Sequence, residues 1–513
     1  MVTYIVRRLV TAVLILLGAS FLVYLLTAAS GDPLAELRAN PSPNKTQLIQ
    51  QRTELLHLNV PAPLRYFIWL KGAAGCLIPF ANSCDLGTNL QGQPVTEQLG
   101  LAMVQTLSLV TVATLLAILI GVTLGIITAL RQYSALDYGV TFMAFLFFSL
   151  PIFWAAVLLK EYGAIGFNNF LRDAVVPIPV TIVLALVFGL IAMAVSTGAW
   201  KRRWMVFGIT AAATAIILQL LSVTGWFTNP GLGIVVIAIT AVGVAFGITT
   251  LSAGLKNKKA LYSALITAGI GVVLYFPIQP LLAAATPLMI VLLAIAAIAV
   301  GIAVGYFMGG YDRGQNIRSA ALTAFLVGAL IMADRFMQSW PEYFNNSKIR
   351  GRPIPTIGAS TPNFDGDFWT SSLDRMTHLL LPTIALILIS IASYTRYSRG
   401  SMLEIMNMDF IRTARAKGLS ERTVVMRHAF RNALIPLATI VAFDIGGLIG
   451  GAVITERVFS FSGMGSMFAQ GLLSVDPNPV MGFFVVVGIT ALVFNLLADL
   501  VYSALDPRVK VKS

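Results

Sequence analysis

The sequence predicts an all-α polytopic membrane protein of twelve spans, and three observations carry that prediction. Hydrophobic residues make up 57% of the 513 and charged residues 11%, where a soluble globular chain carries roughly 25% charged residues. The apolar residues gather in uncharged runs long enough to cross a ~30 Å hydrocarbon core at 1.5 Å per residue. The Lys and Arg fall in short loops between those runs, as expected when basic loops stay in the cytoplasm. The formal net charge of +13 therefore reads as loop bias and not as a nucleic-acid footprint.

The first element is the uncharged run Leu9–Ala29, preceded by Arg7 and Arg8. It exceeds the about 7–15 residues of a signal-peptide apolar region, so residues 1–30 are read as a retained span with a cytoplasmic N-terminus. Residues 31–99 are polar and proline-bearing and are expected to form an external segment. It contains Cys76 and Cys84. An oxidising exterior favours a disulfide between them, with two free thiols as the alternative. Residues 100–165 hold two spans, Leu101–Leu130 and Tyr138–Leu159, joined by an inner turn at Arg131–Asp137.

Residues 166–337 contain two uncharged stretches of 52 residues, 204–255 and 260–311. Each is long enough for two passes, with expected turns at Asn229–Gly231 and Pro277–Pro280. Basic turns (Lys201 to Arg203; Lys256, Lys258 and Lys259; Arg313 and Arg318) alternate with uncharged ones, which assigns the basic turns to the cytoplasm. Six spans follow, near 178–199, 205–225, 231–254, 260–277, 282–308 and 318–337. Their uncharged cores offer few groups to hold a polar solute, and Gly243, Gly247, Gly269 and Gly271 are expected to let them pack closely. An external loop, 338–375, leads into residues 376–513, with spans near 376–395, 433–455 and 479–503. Between the first two of these lies the basic loop 396–432.

That loop is the most informative segment. Asp409 is expected to cap a short helix, Arg415 and Lys417 suit its negative end, and Gly418 supplies a left-handed stop. Ser420 and Glu421 then open a second helix expected to end at Arg431. Two short helices at a glycine corner form a rigid projection able to receive force from a partner. Asp444 and Glu456 are acids within or beside the membrane, where such residues are costly; a structural ion pair or hydrogen bond and a translocation-path contact are both open. His57, His378 and His428 form no metal-binding pair. The sequence has no HExxH, Cys-x-x-Cys, nucleophile elbow or GxxxxGK[ST], so no catalytic residue, metal or cofactor is assigned and no P-loop ATP hydrolysis is expected.

Several ordered motifs resemble the B-type permease subunit of dipeptide and oligopeptide ABC importers. They are Val6 to Leu9, Gly31 to Pro33, Asp85 to Gly87, Gln93 to Val95, Ser149 to Trp154, Phe410 to Ser420, Arg427 to Pro436, Glu456 to Ser460, Gly463 to Gly465 and Leu505 to Arg508. The resemblance covers roughly 1–165 and 338–510. It implies a six-span importer core, enlarged here by the inserted block. In that family the segment at Arg412–Gly418 is the EAA loop, whose coupling helix docks on an ATP-binding subunit. Arg412, Thr413 and Ala414 stand where the general motif has Glu-Ala-Ala, and His428 to Arg431 where it has Ile-x-Leu-Pro, as is common in peptide importers. By resemblance, Asp409, Arg412, Thr413, Ala414, Arg415, Ala416, Lys417, Gly418, Leu419 and Ser420 form the ATPase-coupling site. The implied partners are a homologous C-type permease, two ATP-binding subunits or one fused ATPase chain, an extracytoplasmic substrate-binding protein or lipoprotein, and membrane lipid. ATP and Mg would sit on the ATPase partners. Dipeptides, oligopeptides, nickel chelates and glutathione are all carried by similar permeases. The alternative is an ion- or proton-coupled secondary transporter of twelve spans, which would show repeats and charged residues near the bilayer midplane.

Overall fold

The computed structural model describes residues 2–39, 41, 43–76 and 84–505; the side chains of 2–6, 8, 9, 311, 442, 443, 445–449, 451 and 498–505 lie outside the description. In chain order the helices are α1 (Val2–Ala29), α2 (Ala35–Ala39), α3 (Lys45–Leu55), α4 (Ala62–Gly75), α5 (Val95–Leu130), α6 (Ala135–Ser149) and α7 (Ile152–Leu158). After a π-helical stretch, Leu159–Gly166, come α8 (Phe167–Phe170), α9 (Ile178–Val195), α10 (Trp200–Val223), α11 (Gly233–Ser252), α12 (Lys258–Ala283), α13 (Pro287–Met308) and α14 (Arg313–Phe344). The remainder are α15 (Phe368–Met406), α16 (Asp409–Ala416), α17 (Glu421–Thr423), α18 (Phe430–Val458), α19 (Met464–Leu473) and α20 (Pro477–Leu505).

The protein is an all-α polytopic membrane protein. Among the described residues, ten helices are long and apolar enough to cross a membrane, or eleven if α6 and the run Ile152–Phe170 count as one span. The twelfth expected span falls on α18, many of whose central side chains lie outside the description. The expected straight span Tyr138–Leu159 is instead broken by 104°. Leu150 is pushed to extended backbone by Pro151, which also lacks the donor needed to continue α6.

Two compact units emerge: residues 1–164, 356–359 and 378–513, and residues 165–355 and 360–377. In the first, α18 packs on α5, α7, α19 and α20, and α1 packs on α4 and α20. Small residues at every fourth position of α5 admit α15 closely: a Cβ on Gly121 would stand 2.7 Å from Tyr394 Cβ, and one on Gly125 2.6 Å from Ser398 Cβ. Ahead of α5, Tyr66 and Trp69 of α4 pack with Tyr24 of α1, Leu86, Val95, Met464 and Met481 in one apolar cluster. Cys76 and Cys84 are joined by a disulfide, Cα to Cα 4.1 Å.

The second unit pairs α9 with α10 and gathers α11–α14 around an apolar centre that includes Ile237, Ala268, Val327 and Ile331. Two expectations change here. Pro277 and Pro280 do not form a turn but lie inside α12, and the chain turns at 284–286 instead, where Thr286 Oγ1 caps α13 by accepting from Met289 N–H. α12 packs against α11, α13 and α14 of this unit. Nor do the expected glycines make the close crossings: Gly243, Gly247 and Gly269 face open space, and of the four only Gly271 meets a neighbour. Gly301 and Gly305 of α13 do that work, where a Cβ would stand 2.7 and 2.5 Å from the α14 backbone.

Candidate functional site

The Schellman corner at Gly418 (φ +74°) ends α16. Gly418 N–H donates to Arg415 C=O at 2.9 Å and Leu419 N–H to Ala414 C=O at 3.4 Å. Ser420 then caps the next helical run, its Oγ accepting from Thr423 N–H. Arg415 forms a bidentate pair with Glu421 at 2.7 and 3.2 Å, which staples the corner. That bond holds the Glu421 carboxyl below its ordinary range. Asp409 is not the cap: Met408, with extended backbone, occupies that position, and Asp409 is the first helical residue, 3.5 Å from Arg412. Its charge still lies at the positive end of the helix. The second helix does not end at Arg431. It runs from α17 through a π-helical turn, Val424–Ala429, into α18, so the corner joins that long helix directly.

The two faces of α16 differ sharply. Ile411 and Ala414 are buried against Met402, Val424, Val425 and Ala429. Arg412, Thr413, Arg415, Ala416 and Lys417 are exposed, flanked by the exposed apolar side chains of Met408, Phe410, Leu419 and Met426. Burying one face fixes the helix; the other presents cations rimmed by apolar groups, suited to a partner rather than to solvent alone.

A second cluster surrounds Glu456, which is 1% exposed. Its carboxylate accepts from Thr106 Oγ1 at 2.5 Å and Ser466 N–H at 2.9 Å, and Thr106 Oγ1 accepts from Met464 N–H at 2.8 Å. These bonds tie α5, α18 and α19 together. Close by in sequence, Asp476 Oδ2 accepts from Leu90 N–H at 2.8 Å, and Asn478 Nδ2 donates to Thr88 C=O at 2.7 Å. The loop before α5 is thereby held to the α19–α20 corner. Burial raises the Asp476 pKa to about 6, against the opposing pull of the Leu90 and Asn478 backbone N–H groups and the Arg52 charge.

Asp444, half-buried on α18, lies beside the hydroxyl of the buried Tyr394 of α15, and its Oδ2 has no hydrogen-bond partner among the described residues. Sequence reasoning missed two arrangements. Asp137 pairs with Arg399, 262 residues away, at 2.8 and 3.0 Å. Asp334, fully buried, accepts from Leu232 and Gly233 N–H, Tyr275 O–H and Gln338 Nε2. The signal available for Asp334 was an acid one residue past an uncharged span core.

The chain is thus a multi-pass helical protein with a stapled amphipathic projection. Residues 266–511 match the family described as "Binding-protein-dependent transport system inner membrane component". The match begins inside the block that the motifs left uncovered. The chain is 44% identical over 154 residues to the oligopeptide transport system permease protein OppB of Mycobacterium tuberculosis strain H37Rv, covering 30% of this chain and 47% of that relative. It is 40% identical over 148 residues to the dipeptide transport system permease protein DppB of Escherichia coli K12, covering 29% and 42%. At 24% identity it aligns over 99% of its length with the whole oligopeptide transport system permease protein AppB of Bacillus subtilis strain 168. The more similar matches thus span about half the length of those relatives. These findings bear out the resemblance to B-type peptide-importer permeases read from the motifs.

Proposed function

We propose that this chain is the transmembrane subunit of an ABC importer for peptides or similar small polar solutes, in the cell membrane with both termini cytoplasmic. It pairs with a homologous C-type permease, two ATP-binding subunits or one fused ATPase chain, and an external substrate-binding protein. ATP and Mg are held by the ATPase partner. ATPase closure moves α16, α18 follows through the π-helical turn, and the paired permeases alternate between inward- and outward-open states. The energy comes from the partner's differential affinity for those two states.

The observation that carries this reading is the α16 corner, one face buried and the other exposed, stapled by Arg415 and Glu421 and continuous with α18. A stiff helix held at both ends transmits a partner's movement. Glu456 serves as a clamp at the end of α18, and Asp444, with an unanswered oxygen, is the better solute-path contact. The ion-coupled alternative loses support at Asp334, whose four donors leave it little capacity for a cation. The inserted block acts as an annex outside the solute path, since its spans offer few polar groups.

Replacing Gly418 by Val strains the left-handed corner by about 1–2 kcal/mol. The expected result is normal membrane insertion with loss of ATPase assembly or of transport-coupled ATP hydrolysis. Wild-type transport and ATPase stimulation in Gly418→Val would reject the assignment.

A further inference from the structure

A pocket of about 270 Å³ lies between α6 and α15, lined among others by Thr141, Phe145, Phe148, Thr395, Arg396 and Arg399. On α15 its lining falls at residues 392–400, in the part of the helix that leads into the coupling loop. Its cations are not equivalent. Arg399 is spent on Asp137, whose oxygens also accept from Tyr133 N–H and Thr141 Oγ1. Arg396 is exposed and has no ion pair among the described residues; its Cζ stands 4.6 Å from the Phe148 ring centroid and 5.4 Å from that of Tyr397. The aromatic rings hold the guanidinium in place while leaving its N–H donors unspent.

Thr395 supplies an independent sign of a ligand. It is 2% exposed, lines the pocket, and its Oγ1 has no hydrogen-bond partner among the described residues. A helical Thr hydroxyl can bond back to the carbonyl four residues earlier, as Thr114 and Thr123 do on α5. The buried Thr383 and Thr455 also lack a partner among the described residues, but Thr395 lines this pocket and they do not. The apolar side of the pocket continues into Phe142, Phe145, Leu146 and Phe148, all exposed on α6. An unspent guanidinium, a buried hydroxyl and an exposed aromatic strip at the basic membrane edge make a site for a head with a negative charge and a tail without one.

We propose that this pocket binds an anionic phospholipid, its phosphate on Arg396 and Thr395 and its acyl chains along the aromatic face of α6. Basic pockets between helices on the cytoplasmic side recognise such head groups. The chemistry favours a lipid over a peptide because a zwitterionic peptide also needs an anion for its ammonium, and Asp137 is already occupied. The site depends on the membrane placement of the chain, not on the identity of the transported solute.

The test uses the full chain, with whatever partners co-purify, titrated with phosphatidylglycerol or phosphatidylcholine and read by native mass spectrometry. Wild type is expected to prefer phosphatidylglycerol. Arg396→Gln removes about tenfold of that preference, the worth of one charge-assisted hydrogen bond. Arg396→Lys retains most of it, and Thr395→Val loses a smaller part. A photoreactive residue at position 145 should give lipid adducts. Equal preference in Arg396→Gln with wild-type folding overturns the proposal. So does competition by glycerol phosphate as strong as by the lipid, which indicates a free-anion site, or displacement of lipid by a tripeptide, which indicates a solute site. Adducts of position 145 with another polypeptide alone would make this face a subunit interface and likewise overturn it.

Discussion

Glu456 in the first unit and Asp334 in the second are both fully buried acids, and neither is answered by a described arginine or lysine contact. Hydroxyl and backbone N–H donors answer Glu456, and backbone N–H, phenol and amide donors answer Asp334. Each ties separate helices at one point, which a bilayer favours because an unsatisfied polar group there is costly. The units differ in what they display. The first presents a basic, apolar-rimmed helix on a stapled corner; the helices of the second present chiefly apolar side chains such as Ile182, Val183, Ile216, Ile239 and Leu292. A buried acid in a membrane protein is therefore weak evidence of a transport path, and exposed amphipathic surface is the better guide to a partner.

Breaking the two clamps separates their roles. Asp334→Leu removes the acceptor of the Leu232 and Gly233 N–H groups and of the buried Tyr275 hydroxyl, and is expected to destabilise the second unit by about 3–4 kcal/mol, since each buried orphan costs about 1–3 kcal/mol before relaxation. Limited proteolysis of the purified protein should then cleave the 178–344 region first, while ATPase assembly and part of transport remain. Glu456→Leu should cost a comparable amount in the first unit and abolish transport. Loss of ATPase assembly in Asp334→Leu would contradict the annex reading; unchanged protease resistance would contradict the clamp.

Asp476 offers a pH test of the loop before α5. Its folded pKa, about 6, lies above the unfolded value near 3.8, so between those values the folded state binds more protons. Stability from this group is gained as pH falls through 6 and lost as pH rises, by up to ~3 kcal/mol over the window. Hydrogen exchange at Leu90 and its neighbours, corrected for intrinsic rates, should be slower at pH 5 than at pH 7. Asp476→Asn should flatten that dependence; an unchanged dependence in this variant would place its origin elsewhere.

The Arg415–Glu421 staple gives the smallest effect. Both side chains are largely exposed, and such pairs are worth about 0–1 kcal/mol. Reversing both charges, Arg415→Glu with Glu421→Arg, should restore corner rigidity measured by exchange at Gly418 but not partner binding, because the cation facing the partner has moved. Restored binding would mean that the staple matters and the surface charge does not.

Much of this comparison was legible in the sequence. Span lengths follow from uncharged runs, and the alternating basic turns pointed to six helices between 178 and 337. Gly418 announced a left-handed corner because few other residues adopt that backbone. What stayed hidden depended on packing between distant segments. Asp137 and Arg399 are 262 residues apart, and nothing local marks either as the other's partner. Pro277 and Pro280 read as a turn because proline usually ends a helix, yet α12 continues through both. Gly301 and Gly305 meet the α14 backbone while Gly243 and Gly247 face open space, a difference that composition does not encode. The Asp409 cap failed by one position, a displacement common at helix ends.

The exposed face of α16 is expected to meet an ATPase. A photoreactive residue at Phe410 or Ala416, activated in intact membranes, tests it most directly when the adducts are identified by mass spectrometry. The expected adduct is a polypeptide that carries a GxxxxGK[ST] phosphate loop, with the yield reduced in Gly418→Val. Abundant, correctly inserted protein whose adducts at both positions are only lipid, or proteins without a nucleotide-binding loop, would contradict it.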